Sequence, residues 1–100
     1  MNTSTKIKTT SNKYQTGNCV YMLLCSDGSY YTGWTTDFSH RLQAHISGKG
    51  AKYTRSRLPV KPVYLEYVED RSHGLKREHS IKKLTHIQKC QLIDSPSNQL

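Results

Sequence analysis

A chain of 100 residues that is 34% apolar has room for one domain with a modest core, and its net charge of +8 is large for that length. No apolar run approaches the roughly 20 residues of a spanning helix. No apolar stretch follows the early lysine either, so membrane association and a secretory signal are not expected and a cytoplasmic, intracellular setting is.

Residues 1–17 are mostly Thr, Ser, Asn and Lys with a single Ile. Such a segment cannot bury enough apolar surface to offset its ordering entropy, so a disordered polar tail is expected there. A single folded domain is expected over residues 18–94. It opens with the run 19–25 (CVYMLLC), apolar and of strand length, then a Ser26-Asp27-Gly28 turn and a second strand over 30–34 (YYTGW). Asp37 opens and Gly48 closes a helix over 37–47, in which Phe38, Leu42 and Ile46 recur every four residues. A basic, glycine-containing loop fills 48–59. Residues 60–69 (VKPVYLEYVE) form a third strand, and Pro62 makes it an edge strand or delays its start. Helices are expected over 71–84 and 86–93, the second opened by a Thr85–Gln88 capping box, with a flexible tail over 95–100. This order predicts an α+β fold: a small three-stranded antiparallel sheet flanked by three or more helices. Three cysteines, Cys19, Cys25 and Cys90, show no CxxC, CxxH or HExxH spacing, which argues against a disulfide framework and against zinc. Cys19 and Cys25 read as small apolar strand residues.

The hairpin turn decides where the tyrosines point. A two-residue Asp27-Gly28 loop would place Tyr21 opposite Trp34 and Tyr31 on the other face. A three-residue loop with Gly28 left-handed pairs Cys25 with Ser29 and puts Tyr21, Leu23, Tyr31 and Gly33 on one face. The second register is preferred because it gathers Val20, Met22, Leu24, Tyr30, Thr32 and Trp34 into one apolar face for the core. The two tyrosines then share a face of their own, where Gly33 leaves room for a ligand. They read equally as ordinary strand aromatics.

Charge is segregated along the chain. Between Asp37 and Glu66 there is no acid, but there are Arg41, Lys49, Lys52, Arg55, Arg57 and Lys61. A second basic run, Arg71 to Lys89, contains Glu78 as its only acid. Such segregation suits a phosphate backbone, with a solvated basic face as the alternative. Arg41 and His45 lie one helical turn apart; Arg41 is a charge for a phosphate or a snorkelling surface residue, and His45 a site residue or a half-buried structural histidine. Glu78 falls within an apolar arc shared with Leu75, Ile81 and Leu84, where a carboxylate must be salt-bridged or hold a cation. With seven carboxylates in the chain, several of them in turns, caps or tails, a clustered two-metal site is not expected. One Mg²⁺ on one carboxylate, completed by water and phosphate, is chemically reasonable.

These residues carry a resemblance. Cys19-Val20-Tyr21 followed by Tyr31-Thr32-Gly33 resembles the paired signature of the GIY-YIG nucleases. The stretches VYMLLCSDGSYYTGWTTDFSHRLQAH, GKGAKYTRSRLPVK and EDRSHGLKREHSIKKL are similar to its small stand-alone bacterial-type members. Cys19-Val20 replaces Gly-Ile in the first triplet. The resemblance implies a metal-dependent endonuclease cleaving phosphodiester bonds of DNA with one divalent metal, Mg²⁺ or Mn²⁺. By position it implies Tyr21 as general base, Tyr31 as a site-lining residue, Arg41 as the charge on the scissile phosphate, His45 as the hydrogen-bond partner of a tyrosine, and Glu78 as the metal ligand. It places Tyr53 at the rim. An asparagine used by some members after the glutamate helix is missing, since Cys90 and Gln91 occupy that region. A tyrosine of pKa near 10 is a poor base, so Arg41 and the metal are expected to lower it. Lys52, Arg55 and Arg57 are the candidate backbone contacts. Branched, flapped or single-stranded DNA are the substrates considered. A non-catalytic nucleic-acid-binding module, or a nuclease relying on a protein partner for substrate recognition, is the competing reading.

Overall fold

The apolar run at the head of the folded part becomes the middle of the sheet. The computed structural model describes residues 14–100. In it β1 (Cys19–Leu24) lies between β2 (Tyr30–Thr35) and β3 (Lys61–Tyr67), antiparallel to both. The helices are α1 (Phe38–Ile46), α2 (Lys52–Arg55), α3 (Arg71–Lys82) and α4 (His86–Ile93). This is the predicted α+β architecture, with one addition: α2 is a single helical turn inside the stretch expected as loop. β3 is an edge strand, as its proline required.

The hairpin adopts the three-residue loop. Cys25 N–H donates to Ser29 O at 2.9 Å, Gly28 N–H donates to Cys25 O at 3.0 Å, and Gly28 has φ +86°. Tyr21 therefore faces Gly33, and Leu23 faces Tyr31. The expectation of one core face and one open face is corrected, however. Tyr21 and Leu23 pack with Cys19, Cys25, Phe38, Leu42, Val60 and Leu65 beneath α1. Val20 and Met22 pack with Tyr64 and Ile81 on the opposite side. Residues 19–23 are all fully buried. A strand covered on both faces reads as a continuous apolar run rather than an alternating one, and CVYML is such a run.

Local sequence sets the helix ends. Asp37 caps α1 by accepting from His40 N–H at 3.2 Å, and Asp70 caps α3 by accepting from His73 N–H at 2.9 Å. The Thr85–Gln88 box opens α4 with both reciprocal bonds present. Ile46, placed on the apolar stripe of α1 by spacing, is 47% exposed, because the chain leaves the helix there.

The buried line of α3 also differs from the expected arc. Gly74 and Ile81 are buried, whereas Leu75 is exposed. A Cβ on Gly74 would fall 1.8 Å from Trp34 Nε1, so the glycine is what lets α3 lie against β2. Helix propensity alone would favour Gly74→Ala by about 1 kcal/mol. Steric overlap with the indole outweighs it, and overpacking of this kind costs about 1–3 kcal/mol. We expect Gly74→Ala to lower the thermal midpoint; a raised midpoint would show that α3 shifts freely on the sheet.

Composition suggested that both ends are loose. Most of the expected N-terminal tail lies outside the described residues. Of its last part, Tyr14 packs edge-on to Phe38 with centroids 4.9 Å apart, and Gly17 N–H donates to Thr36 O at 3.0 Å. At the other end, where a flexible tail was expected, Gln99 N–H donates to Leu65 O at 2.7 Å. The Asn98 and Gln99 side chains accept from Leu65 and Tyr67 N–H. The terminal residues thus cover the outer edge of β3, satisfying groups an open edge would expose.

Candidate active site

Tyr21 projects from the middle of β1 into the layer under α1. A missing side chain makes space for it: a Cβ on Gly33 would fall 2.4 Å from the Tyr21 hydroxyl and 2.6 Å from its Cζ. The room expected beside Gly33 for a ligand is thus filled by Tyr21 itself. His45, from the last turn of α1, is 1% exposed and reaches the same place. Its Nε2 lies 2.8 Å from the Tyr21 hydroxyl, and its Nδ1 lies 2.8 Å from Thr54 Oγ1 on α2. Both ring nitrogens are therefore engaged by side chains rather than by the backbone. Gly50 allows this closure, since a Cβ there would fall 2.4 Å from His45 Nδ1.

Tyr31 is half-buried, with its ring centroid 6.3 Å from that of Tyr21 and 5.2 Å from that of His45. It stacks on Tyr53 at 6.0 Å. The Arg57 guanidinium lies 3.7 Å over the Tyr53 ring, and its Nε donates to Asp27 Oδ2 at 3.0 Å. Arg57 thus ties α2 to the hairpin turn instead of standing free for a phosphate, whereas Lys52 and Arg55 are exposed. Arg41 is exposed and lines an open cleft with Tyr31, His45 and Lys49. Tyr31 also borders a second cleft, lined by Tyr30, Thr32, Tyr53, Lys82 and Lys89.

Glu78 lies on α3 with its side chain 19% exposed, and Lys82, one turn on, pairs with it at 3.1 Å. The arginine salt bridge that was the alternative for Glu78 belongs to another acid and is partly buried. Glu66 accepts from Arg77 Nε at 3.0 Å and also from the Tyr64 hydroxyl. Among the described residues no three His, Cys, Asp or Glu side chains cluster as a metal cage. The donor set nevertheless suits a hard cation that takes one carboxylate and completes its shell with water and phosphate oxygens. Lys82 is half-exposed, and an exposed pair of this kind is weak enough for the lysine to yield the carboxylate.

The electrostatics sharpen the tyrosine's role. Burial, then the neighbouring Tyr31 and more weakly Glu78, push the Tyr21 phenol well above the ordinary tyrosine value; Arg41 pulls it back by charge and hydrogen bonding without overcoming burial. Arg41 alone, then, does not make Tyr21 a base at neutral pH. Burial, reinforced by Arg41, holds His45 below the usual histidine value, so its ring is neutral near pH 7.

Of the expected site residues, Tyr21, Tyr31 and His45 are in mutual contact, and Arg41 shares a cleft with Tyr31 and His45; the direct partner of Glu78 is Lys82. Sequence reasoning missed Thr54, Gly50, Gly74 and Lys82. The glycines on either side of Lys49 were the available signal for the first two, since closely spaced glycines mark backbone that must pass near something.

A tyrosine–histidine pair thus lies beside a basic cleft on a three-stranded sheet, with a lone carboxylate on the helix that follows β3. The model of the GIY-YIG catalytic domain matches residues 17–91, and the chain belongs to the GIY-YIG family, a family of nuclease domains. It is 55% identical over 80 residues to a UPF0213 protein of Clostridium perfringens, covering 80% of this chain and 86% of that one. The solution structure of the UPF0213 protein BH0048 from Bacillus halodurans is similar, with a TM-score of 0.53 and 40% identity over 82% of this chain and 87% of that one. That of EF2693 from E. faecalis has a TM-score of 0.56 and 45% identity over 80% and 85%.

Proposed function

We propose that the protein is a metal-dependent endonuclease that hydrolyses phosphodiester bonds in DNA. The observation that carries this reading is the hydrogen bond between the buried Tyr21 hydroxyl and His45 Nε2, with Arg41 on the cleft that His45 lines.

Because the phenol is held protonated, Tyr21 works as a relay. The attacking water's O–H bond breaks toward the Tyr21 oxygen while the phenol proton passes to His45 Nε2. The water oxygen keeps that electron pair and forms the new P–O bond; the leaving oxygen departs with its own pair and takes a proton from solvent. Arg41 holds the phosphate through charge that strengthens as negative charge develops on it. Tyr31 would line the cleft and help position water or phosphate. Glu78 would hold the metal, with Lys82 displaced from it, and a divalent ion there supplies charge against the phosphate oxygens. Lys52 and Arg55 would contact the backbone, with Tyr53 at the rim. Such contacts position DNA without reading its sequence, so structure-guided or weakly specific cleavage is expected.

The test is incubation of purified protein with branched, flapped and single-stranded DNA in Mg²⁺ or Mn²⁺. Metal-dependent cleavage of at least one substrate, abolished by EDTA, is expected. Salt-sensitive binding with no cleavage of any of them would support a non-catalytic module instead. Activity appearing only on addition of a cell extract would point to a protein partner that supplies recognition.

A further inference from the structure

Thr54 is fully buried, and its hydroxyl carries one hydrogen. Its Oγ1 lies 3.0 Å from the Ala51 carbonyl oxygen and 2.8 Å from His45 Nδ1. The carbonyl can only accept, and it also takes the Arg55 N–H at 3.1 Å; both Oγ1 contacts are hydrogen bonds together only when Thr54 donates to the carbonyl and accepts from the ring. The contact to His45 is then a hydrogen bond only if Nδ1 carries the hydrogen. His45 is buried beside Arg41 and neutral, so it has a single N–H, and that hydrogen is used on Thr54. Nε2 is left with a lone pair, 2.8 Å from the Tyr21 hydroxyl, which must therefore be the donor.

We infer that Thr54 is a positioning residue: it fixes the Nδ1–H tautomer of His45 and so aims the Tyr21 proton at Nε2. The chain of donation runs Tyr21 to His45 to Thr54 to the Ala51 carbonyl. The consequence for catalysis rests on the nuclease reading above. In this tautomer the phenol oxygen, which also accepts from Arg41, keeps a lone pair for a water hydrogen, and the phenol proton has an acceptor at Nε2. In the other tautomer Nε2–H would donate to the phenol, and the relay would have no terminus. Gly50 serves the same end, because only a residue without Cβ lets the α1–α2 connection pass over the ring and deliver Thr54 to Nδ1.

The tautomer can be read without DNA or metal. In ¹⁵N-labelled wild-type protein near neutral pH, long-range ¹H–¹⁵N correlation should place the His45 hydrogen on Nδ1. Thr54→Val, which removes the acceptor at nearly constant volume, should move population to Nε2–H, and Thr54→Ser should retain Nδ1–H. In the cleavage assay Thr54→Val should lose kcat by about tenfold or more with KM nearly unchanged, and Thr54→Ser should restore it. An Nε2–H tautomer in the wild type overturns the inference, whatever the activity and whether or not Thr54→Val folds. So does a Thr54→Val protein that folds and keeps both Nδ1–H and full kcat. If the tautomer shifts as expected while neither protein cleaves DNA, the assignment of Thr54 stands and the nuclease reading fails.

Discussion

Replacing Glu78 with alanine is expected to abolish DNA cleavage while leaving the fold nearly untouched. The two effects separate because they draw on different interactions. In the folded protein Glu78 meets Lys82, a half-exposed lysine on its own helix, and pairs of that kind contribute about 0–1 kcal/mol. In the proposed reaction the same carboxylate holds the only metal. Charge stabilisation by a bound cation is worth several kcal/mol in the transition state, and each 1.4 kcal/mol is about tenfold in rate. A loss on the order of a thousandfold is therefore expected, beside a thermal midpoint within a few degrees of wild type. Equal activity in the purified variant would remove Glu78 from the mechanism and point to a contaminating nuclease. Glu66→Ala is the useful contrast. That carboxylate bonds Arg77 and Tyr64, so its loss should lower stability more than Glu78→Ala does, with a much smaller effect on kcat.

Acidification is expected to act through His45. Its pKa in the folded protein lies below the unfolded value of about 6.5. Between those two values the unfolded chain binds more protons than the folded one, so stability rises with pH across that window. It is fully present above about pH 6.5 and is lost as pH falls through the folded value. Protonation would also place a donor at Nε2, where the Tyr21 hydroxyl already donates, so activity and stability should fall together on the acid side. His73 has the opposite tendency, since Asp70 first and Glu69 after it raise its pKa, and its small exposed contribution is present in acid and lost as pH rises. The clean measurement is therefore the difference between wild type and His45→Gln in denaturant midpoint from pH 5 to 8. The wild type should lose stability toward acid and the variant should not. Parallel curves would show that His45 titrates no differently in the folded and unfolded chain. Tyr21→Phe belongs to the same experiment. It leaves Nε2 buried and unpaired, which costs about 1–3 kcal/mol, and it removes the relay, so both the midpoint and kcat should drop.

Much of this site was legible residue by residue. Ser26-Asp27-Gly28 allowed a two- or a three-residue turn; the three-residue one, preferred for the apolar face it gathers, is the one that forms, with Gly28 left-handed and Tyr21 and Tyr31 on one face. Asp37, Asp70 and the Thr85–Gln88 box marked helix starts because capping is a contact within one turn of chain. The one-turn spacing of Arg41 and His45 set both beside the tyrosines. What hydropathy patterns could not register was glycine. Gly33, Gly50 and Gly74 each mark a close approach to Tyr21, His45 or Trp34, but a residue with no side chain adds nothing to an apolar stripe.

By itself, then, the sequence determined the order of the three strands and three longer helices, the helix caps, and the single carboxylate in a basic stretch, all of which depend on local chemistry. Only the tertiary structure decided that both faces of β1 are buried, that Arg57 belongs to Asp27 and Tyr53, that Asn98 and Gln99 close the edge of β3, and that Thr54 meets His45. Each of these depends on which group a side chain finds across the fold. For Tyr21 that distinction matters: spacing put it on the right face, but burial beside His45 holds its phenol protonated, which is why a proton relay rather than a free base is proposed for it.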